Sequence, residues 1–350
     1  QGFMWFCTED GLNKYDGYEF TIYKHDPDNP NSLSSSHVWD VYEEEETHTL
    51  WVATSNGLDK WDLQTGHFVH YQHDETDPHS VSSNHVSVVH EDHTGTLWIA
   101  TWGGGLNTFD RETERFTRYQ HDPDDPASLS SNYTLWRNSI HEDPAGTLWI
   151  STGGGGFNKF VRETGSFVSY QHDEHNPNSV NSNDIGTIAS GTTPDILWIG
   201  SANGLNKFDP VTETFVTYPE FEGMVVVDIF LDQAGNLWLC TLNGLYLFDG
   251  ETGSILAHYS YDPDNPKGLA HYELSNMYQD QTGVSWIGTW GGGLNTLGHT
   301  KTFVNYQPRP NAPNSLSSAV ANAFVEDTDG NVWITGGNGL DKLDHQTQNF

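Results

Sequence analysis

The sequence predicts an all-β fold, a β-propeller built from four-stranded antiparallel blades, on three observations. A Trp in variants of Leu-Trp-Ile-Gly-Thr recurs at Trp5, Trp51, Trp98, Trp149, Trp198, Trp238, Trp286 and Trp333, at intervals of 46, 47, 51, 49, 40, 48 and 47 residues. Periods of about 40 to 50 residues with four short strands each are those of propeller blades. Between these Trp residues, alternating or wholly apolar stretches of four to nine residues are separated by Gly, Asn and Asp turns, with no long helical pattern. The composition, 13% aromatic with 35 glycines and 15 prolines in 350 residues, is that of a packed globular chain.

Residues 84–119 serve as the model unit. Asn84 to Asp92 alternates apolar and polar residues, as a half-buried strand A does. The turn His93-Thr94-Gly95-Thr96 leads into strand B, Leu97 to Thr101, which is apolar on both faces, as expected inside a blade covered on either side. Gly103-Gly104-Gly105 turns into strand C, Leu106 to Asp110. Other units carry Asp10-Gly11, Asn56-Gly57, Asn203-Gly204, Asn243-Gly244 or Asn338-Gly339 there, pairs suited to hairpins whose central residues need positive φ. Arg111 to Arg115 then precede strand D, Phe116 to Tyr119.

The number of blades follows from the two ends. The first unit starts at strand B, and the eighth supplies A, B and C and stops where D should begin. If residues 320–327 supply the inner strand beside Phe3 to Thr8, residues 1–330 close seven blades and residues 331–350 are surplus; this is the expected arrangement, with an eight-bladed ring as the alternative.

Charge excludes some functions. Fourteen Lys and Arg against 48 Asp and Glu give a net charge of −34, which repels nucleic-acid phosphates and anionic membrane surfaces. No stretch approaches the roughly 20 apolar residues of a membrane helix, and no signal peptide opens the chain. Beginning at Gln1 without an initiator Met, the sequence reads as a piece of a longer protein. Catalytic signatures are missing: there is no Gly-x-Ser-x-Gly, phosphate-binding loop or His-Glu-x-x-His, so this chain is not expected to be an enzyme. Cys7 and Cys240 both sit two residues after a repeat Trp, where other units have Ala53, Ala100, Ser151, Gly200, Gly288 and Thr335. That slot wants a small side chain, so two buried free thiols are expected.

Strand parity places the B–C turns and the D–A connections on one face. Six of those connections put a Pro seven residues after a Tyr, starting with Tyr23 to Pro30 and ending with Tyr306 to Pro313, and four carry a His-Asp pair: His25-Asp26, His73-Asp74, His121-Asp122 and His172-Asp173. Because the motif recurs in copy after copy, it reads as a rigid connector with Asp and Ser bonding nearby backbone. No cofactor is expected. The stretches with oxygen ligands for Ca2+ are Asp26 with Asp28 and Asp122 with Asp124, neither followed by the bidentate Glu of an EF-hand.

Repeat Trp residues pack blades; five others remain, Trp39, Trp61, Trp102, Trp136 and Trp290. Trp61 occupies a Phe or Tyr position of the core. Trp102 and Trp290 stand in identical octapeptides, Thr-Trp-Gly-Gly-Gly-Leu-Asn-Thr, in turns of the richer face, where aromatic surfaces can stack on a ligand. The expected ligand contacts are therefore Trp102 and Trp290, the strand-A entrances His37, His85, Tyr133 and Tyr272, and the turn residues Asn56, Asn203 and Asn243. With few local cations, such as Arg137 and Arg309, a neutral or cationic ligand suits this face best. The short interval from Trp198 to Trp238 removes one long connection, which predicts an access notch bordered by Glu220 and Phe221.

The segments GFMWFCTEDGLNKYDGYEF (residues 2–20), YKHDPDNPNSLSSSHV (23–38) and EDHTGTLWIATWGGGLNTFD (91–110) resemble the two-component regulator propeller family. The resemblance runs through all eight units. It implies the ligand-sensing, extracytoplasmic domain of a bacterial membrane-bound histidine kinase, hybrid two-component regulator or diguanylate cyclase, on the periplasmic or extracellular side of the inner membrane. It further implies an oligosaccharide or other small extracellular ligand, membrane attachment only through parts of the parent outside this chain, and a homodimeric parent receptor. The competing readings are a protein-interaction scaffold and a streptogramin-lyase-like enzyme, although Gly-Leu-Asn-Lys stands here where those lyases read more like Gly-Asn-Lys-Ile-Gly.

Overall fold

The computed structural model describes the chain except residues 1–3, 17–18, 45, 135–138, 194–195, 233–234, 266, 281, 299–301, 310–311, 313 and 348. Trp136 and Arg137 therefore lie outside the described residues, as does Pro313. The described residues form thirty strands in eight antiparallel sheets and one short 3-10 turn, Pro219–Phe221. The fold is an all-β propeller of eight blades, each of three or four strands.

Residues 1–185 form one compact unit. Its blades are β1 (Met4–Thr8), β2 (Gly11–Tyr15) and β3 (Phe20–Tyr23); β4 (Val38–Glu44), β5 (Thr49–Thr54), β6 (Gly57–Asp62) and β7 (Phe68–Tyr71); β8 (Val86–Glu91), β9 (Leu97–Thr101), β10 (Gly105–Asp110) and β11 (Arg115–Tyr119); and β12 (Ile140–Glu142), β13 (Leu148–Thr152), β14 (Gly156–Val161) and β15 (Ser166–Tyr170). Residues 186–350 form the second. There the blades are β16 (Ile185–Ser190, beginning one residue earlier), β17 (Leu197–Ser201), β18 (Gly204–Asp209) and β19 (Thr214–Thr217); β20 (Val226–Leu231), β21 (Leu237–Thr241), β22 (Gly244–Asp249) and β23 (Ser254–Tyr259); β24 (Leu274–Gln279), β25 (Ser285–Thr289), β26 (Leu294–Leu297) and β27 (Phe303–Tyr306); and β28 (Ala321–Glu326), β29 (Val332–Gly336) and β30 (Gly339–Leu343).

The expected seven-bladed closure is overturned. Residues 321–326 pair with Val332–Gly336 in a sheet of their own, while β1 stands at the edge of a three-stranded sheet with β2 and β3. The reason is local. Asp327 closes a tight turn by accepting the Asn331 N–H at 2.8 Å, and its other carboxylate oxygen accepts the Trp333 indole N–H at 3.0 Å. The same six-residue Asp–Trp staple joins Asp92 to Trp98, Asp143 to Trp149, Asp232 to Trp238 and Asp280 to Trp286. A hairpin closed over a few residues forms at a far smaller loss of chain entropy than pairing with a strand some 300 residues away.

Burial follows the pattern of the repeat. Every residue of β5, β9, β13, β17, β21 and β25 is buried, because each is flanked by strands on both edges and covered by neighbouring side chains on both faces. β1, an edge strand, buries only Phe6. Core clusters bridge successive blades, as where Trp51 and Leu58 pack with Val86, Ile99 and Phe109. Lys14, Lys60, Lys159, Lys207 and Lys342 lie over the faces of Trp5, Trp51, Trp149, Trp198 and Trp333, so the repeat Trp consume five of the few cations.

The His-Asp-Pro connections are self-contained. His25, His73, His121 and His172 each use Nδ1 on the carbonyl of the buried Leu33, Val81, Leu129 or Val180, at 2.6 to 2.9 Å. The Asp26, Asp74, Asp122 and Asp173 N–H groups each donate to a Ser Oγ six residues on. Buried polar residues of the third strands anchor the connection from below: Asn107 accepts the Ser82 N–H, Asn158 the Ser130 N–H, Asn295 the Ala270 N–H and Asp59 the Ser34 N–H. These connectors fix where each next strand begins, and with it the side chains of the candidate site.

Candidate functional site

The residues singled out above fall into both units: His37, Asn56, His85, Trp102 and Tyr133 into the first, and Asn203, Glu220, Phe221, Asn243, Tyr272 and Trp290 into the second.

In the first unit a ladder of rings runs along three successive blades. His37 stacks on Trp39 at 4.4 Å between centroids and 21° between planes. Trp39 meets His85 at 5.2 Å, and His85 meets Trp102 at 5.1 Å. Trp102 forms an isolated antiparallel bridge with Tyr133. Backbone hydrogen bonds set this spacing. The His37 carbonyl accepts the Ser55 N–H, the His85 carbonyl the Trp102 N–H and the Tyr133 carbonyl the Gly153 N–H, at 3.1, 2.9 and 2.7 Å, so each strand entrance is tied to the turn after its own blade's second strand. Ser35, Ser83 and Ser131 cap the same entrances by accepting the N–H two residues on.

Trp102 and Tyr133 are 48% and 49% exposed, unlike Trp98, which is 1% exposed, so they pack no core. Trp39 is partly buried and donates its indole N–H to Ser55 Oγ at 3.0 Å, which holds its ring between the two imidazoles. Burial, and next the charge of His37, lower the pKa of His85 below its ordinary value, keeping that ring neutral at physiological pH. The result is a half-exposed aromatic platform with the His85 imidazole between two indoles. It can stack on a flat or ring-shaped ligand and bond its hydroxyls.

In the second unit Trp290 is 48% and Tyr272 46% exposed. Tyr272 is displaced by one position from the other predicted entrances. Its carbonyl accepts the Gly244 N–H, as Asn84 and Asn132 do for Gly57 and Gly105, whereas Glu273 occupies the His85 position and accepts the Trp290 N–H at 3.0 Å. His271 stacks on Tyr272 at 4.6 Å and 17°, with Tyr261 at 6.4 Å.

The Asn residues are turn staples. Asn56 donates to the Ser34 carbonyl at 3.1 Å, and Asn203 accepts the Gly223 N–H at 3.0 Å. Asn243 presents its N–H to Thr241 Oγ1 and lends its side chain to Tyr246. Glu220 is exposed, but Phe221 is fully buried, edge-on to Tyr246 and Phe248 at 5.3 and 5.4 Å. Phe221 takes the role that the buried Leu33 or Leu129 plays in longer connections. Asp26 and Asp122 spend one oxygen each on the N–H of Asp28 and Asp124. Among the described residues no group of three or more His, Cys, Asp or Glu is arranged to hold a metal ion. Cys7 is partly and Cys240 fully buried, and the two are not joined by a disulfide.

Sequence reasoning missed Trp39, His271 and Tyr261. The signal was departure from the repeat: Tyr261 stands where four connections have His, and His271 where Ser35, Ser83 and Ser131 stand.

Comparison with known proteins agrees with the resemblance in the sequence. The profile of a family described as two component regulator propeller matches residues 80–103. The extracellular domain of a hybrid two-component system, BT3049, from B. thetaiotaomicron is 24% identical, with a TM-score of 0.64 over 100% of this chain and 51% of that one. A second B. thetaiotaomicron extracellular domain, that of the one-component system BT4673, is 20% identical, with a TM-score of 0.57 over 99% of this chain and 50% of that one. The chain thus spans about half the length of these two structures. A streptogramin B lyase has a TM-score of 0.57 at 18% identity, covering 89% of this chain and 94% of its own. No curated protein matches the sequence.

Proposed function

We propose that this chain is the ligand-sensing propeller domain of a bacterial membrane-bound signalling receptor, held on the periplasmic or extracellular side. In this reading it takes a neutral oligosaccharide or similar small extracellular ligand on the His37–Trp39–His85–Trp102–Tyr133 platform. The observation that carries the reading is the half-exposed Trp102, which packs no core and stands in a ladder of rings with His85 and Trp39. The family resemblance and the extracellular domains of similar fold support the setting. With a net charge of −34, a ligand without free negative charge binds at least electrostatic cost.

The test is a thermal-shift and calorimetric screen of the domain against neutral oligosaccharides of two to eight residues. A true ligand at 100 times its Kd stabilises the fold by about 2.7 kcal/mol, and Trp102→Ala weakens binding by about 2 kcal/mol, the usual cost of losing an aromatic anchor, with little effect on Tm. Binding that survives Trp102→Ala contradicts the platform. Turnover of a panel member would favour the lyase reading. A panel without any stabilising member would favour the scaffold reading.

A further inference from the structure

In the blade formed by β24 to β27, the strand entrance is built differently from its counterparts. At five other entrances a Ser Oγ accepts the N–H two residues on: Ser35 from His37, Ser83 from His85, Ser131 from Tyr133, Ser182 from Asp184 and Ser318 from Val320. Here the acceptor is an imidazole nitrogen, His271 Nδ1, which takes the Glu273 N–H at 3.1 Å. An Nδ1 that accepts carries no proton, so this contact requires the neutral ring with its proton on Nε2. The consequence reaches Trp290, because the Glu273 carbonyl accepts the Trp290 N–H at 3.0 Å.

A second contact runs through packing. A methyl group added at Gly291 would lie 3.1 Å from His271 Nε2, and one at Gly292 only 2.7 Å from His271 Cβ. The glycine turn that follows Trp290 therefore rests directly on the imidazole. Among the described residues, the titratable groups against this ring are Tyr272, stacked on its face, Tyr261, tilted at 6.4 Å, and Glu273, whose N–H it accepts.

We propose that His271 is a positioning residue which presents Trp290 for ligand contact when neutral and releases it when protonated. The proposal rests on reading Trp290 as a ligand contact. The proton taken from solvent goes to Nδ1, which then opposes one N–H with another; the Glu273 N–H loses its acceptor, and the bond from Trp290 to the Glu273 carbonyl loosens with it. Imidazole protonation falls in the range that separates a neutral from a mildly acidic surrounding. No Ser-capped entrance can respond in this way, so the effect belongs to this blade.

Hydrogen exchange of the Glu273 and Trp290 amides, measured at pH 7.5 and 5.5 and corrected for intrinsic rates, reads the proposal without any ligand. His271→Ser restores the cap of the other blades, and His271→Asn keeps an acceptor that does not titrate; Tm at both pH values confirms that each variant is folded. The wild type should lose at least about tenfold protection at those two amides on acidification, and both variants should lose none. A pH response shared by all three proteins, or no response in the wild type, overturns the proposal. Ligand affinity of Trp290→Ala reads the ligand role separately, so failure there leaves the exchange result intact.

Discussion

Asp228 is the position at which a single atom change should strengthen the protein. Its carboxylate sits on β20, deeply buried, where Oδ2 accepts the Met277 N–H from the next blade at 3.0 Å. Burial pushes its pKa up from 3.8 to about 6, against the opposing pull of the Met277 and Ile229 N–H groups. The folded pKa lies above the unfolded one, so the folded state binds the extra proton and stability falls as pH rises from about 4 to 6. Above that window the ionised carboxylate costs about 3 kcal/mol, and at pH 5 roughly half of that cost is present. Asp228→Asn keeps an oxygen for the Met277 N–H and removes the charge. Urea unfolding at pH 5, 6, 7 and 8 should show the variant more stable than the wild type, with the gap widening to about 3 kcal/mol at pH 8. A variant no more stable at pH 8, or a gap that does not change with pH, would refute the reasoning.

Asp92 should behave oppositely. Burial alone would raise its carboxyl, but hydrogen bonds from Thr94, Trp98 and Arg162 outweigh this and hold it well below the usual carboxylate range, so its contribution is complete above about pH 4 and is lost as pH falls below that. Asp92→Ala leaves the buried Trp98 indole N–H without its acceptor and removes one of the two carboxylates that Arg162 pairs with, and should cost about 3 kcal/mol in denaturant unfolding at pH 7. Asp59 binds His70 at 2.7 Å, and that hydrogen bond, opposed by burial, raises the His70 pKa. The stabilisation is full below the ordinary imidazole range and fades as pH rises through the raised value, so Asp59→Asn should flatten the fall in Tm between pH 6 and 8. Gly57 has φ +123° and its added methyl would lie 2.5 Å from the Tyr71 carbonyl oxygen, so Gly57→Ala should cost on the order of 3 kcal/mol. Gly66→Ala, with φ +72° and nothing within 4 Å, should cost about 1 kcal/mol.

The repeat made the strands legible. Leu97 to Thr101 was readable to the residue because strand B is apolar throughout and bounded by Gly turns, a pattern set by local chemistry. Closure was not legible from the pattern of residues 320–327 alone, since an alternating strand reads the same whichever neighbour it pairs with. The six-residue spacing from Asp327 to Trp333 did carry the answer, as a side-chain staple that only the local hairpin can make. At the candidate site, Trp102 was visible because its octapeptide recurs at Trp290, each time in a Gly-rich turn where an aromatic ring has no core to fill. Tyr272 was misplaced by one residue because backbone register, not residue type, decides which side chain stands beside the turn. Phe221 looked like a rim and is core, since a shortened connection still needs one apolar anchor. Trp39 went unread because its role depends on two imidazoles, one of them on the next blade.

The most direct test of the sensing platform is a two-dimensional NMR titration of the domain, with its Trp indoles labelled with nitrogen-15, by the oligosaccharide that gives the largest thermal shift in the screen. The account predicts that the Trp102 indole moves first and furthest, with Trp39 beside it, while the buried repeat residues Trp51, Trp98 and Trp149 stay still. Saturable binding that leaves Trp102 and Trp39 unmoved would contradict it.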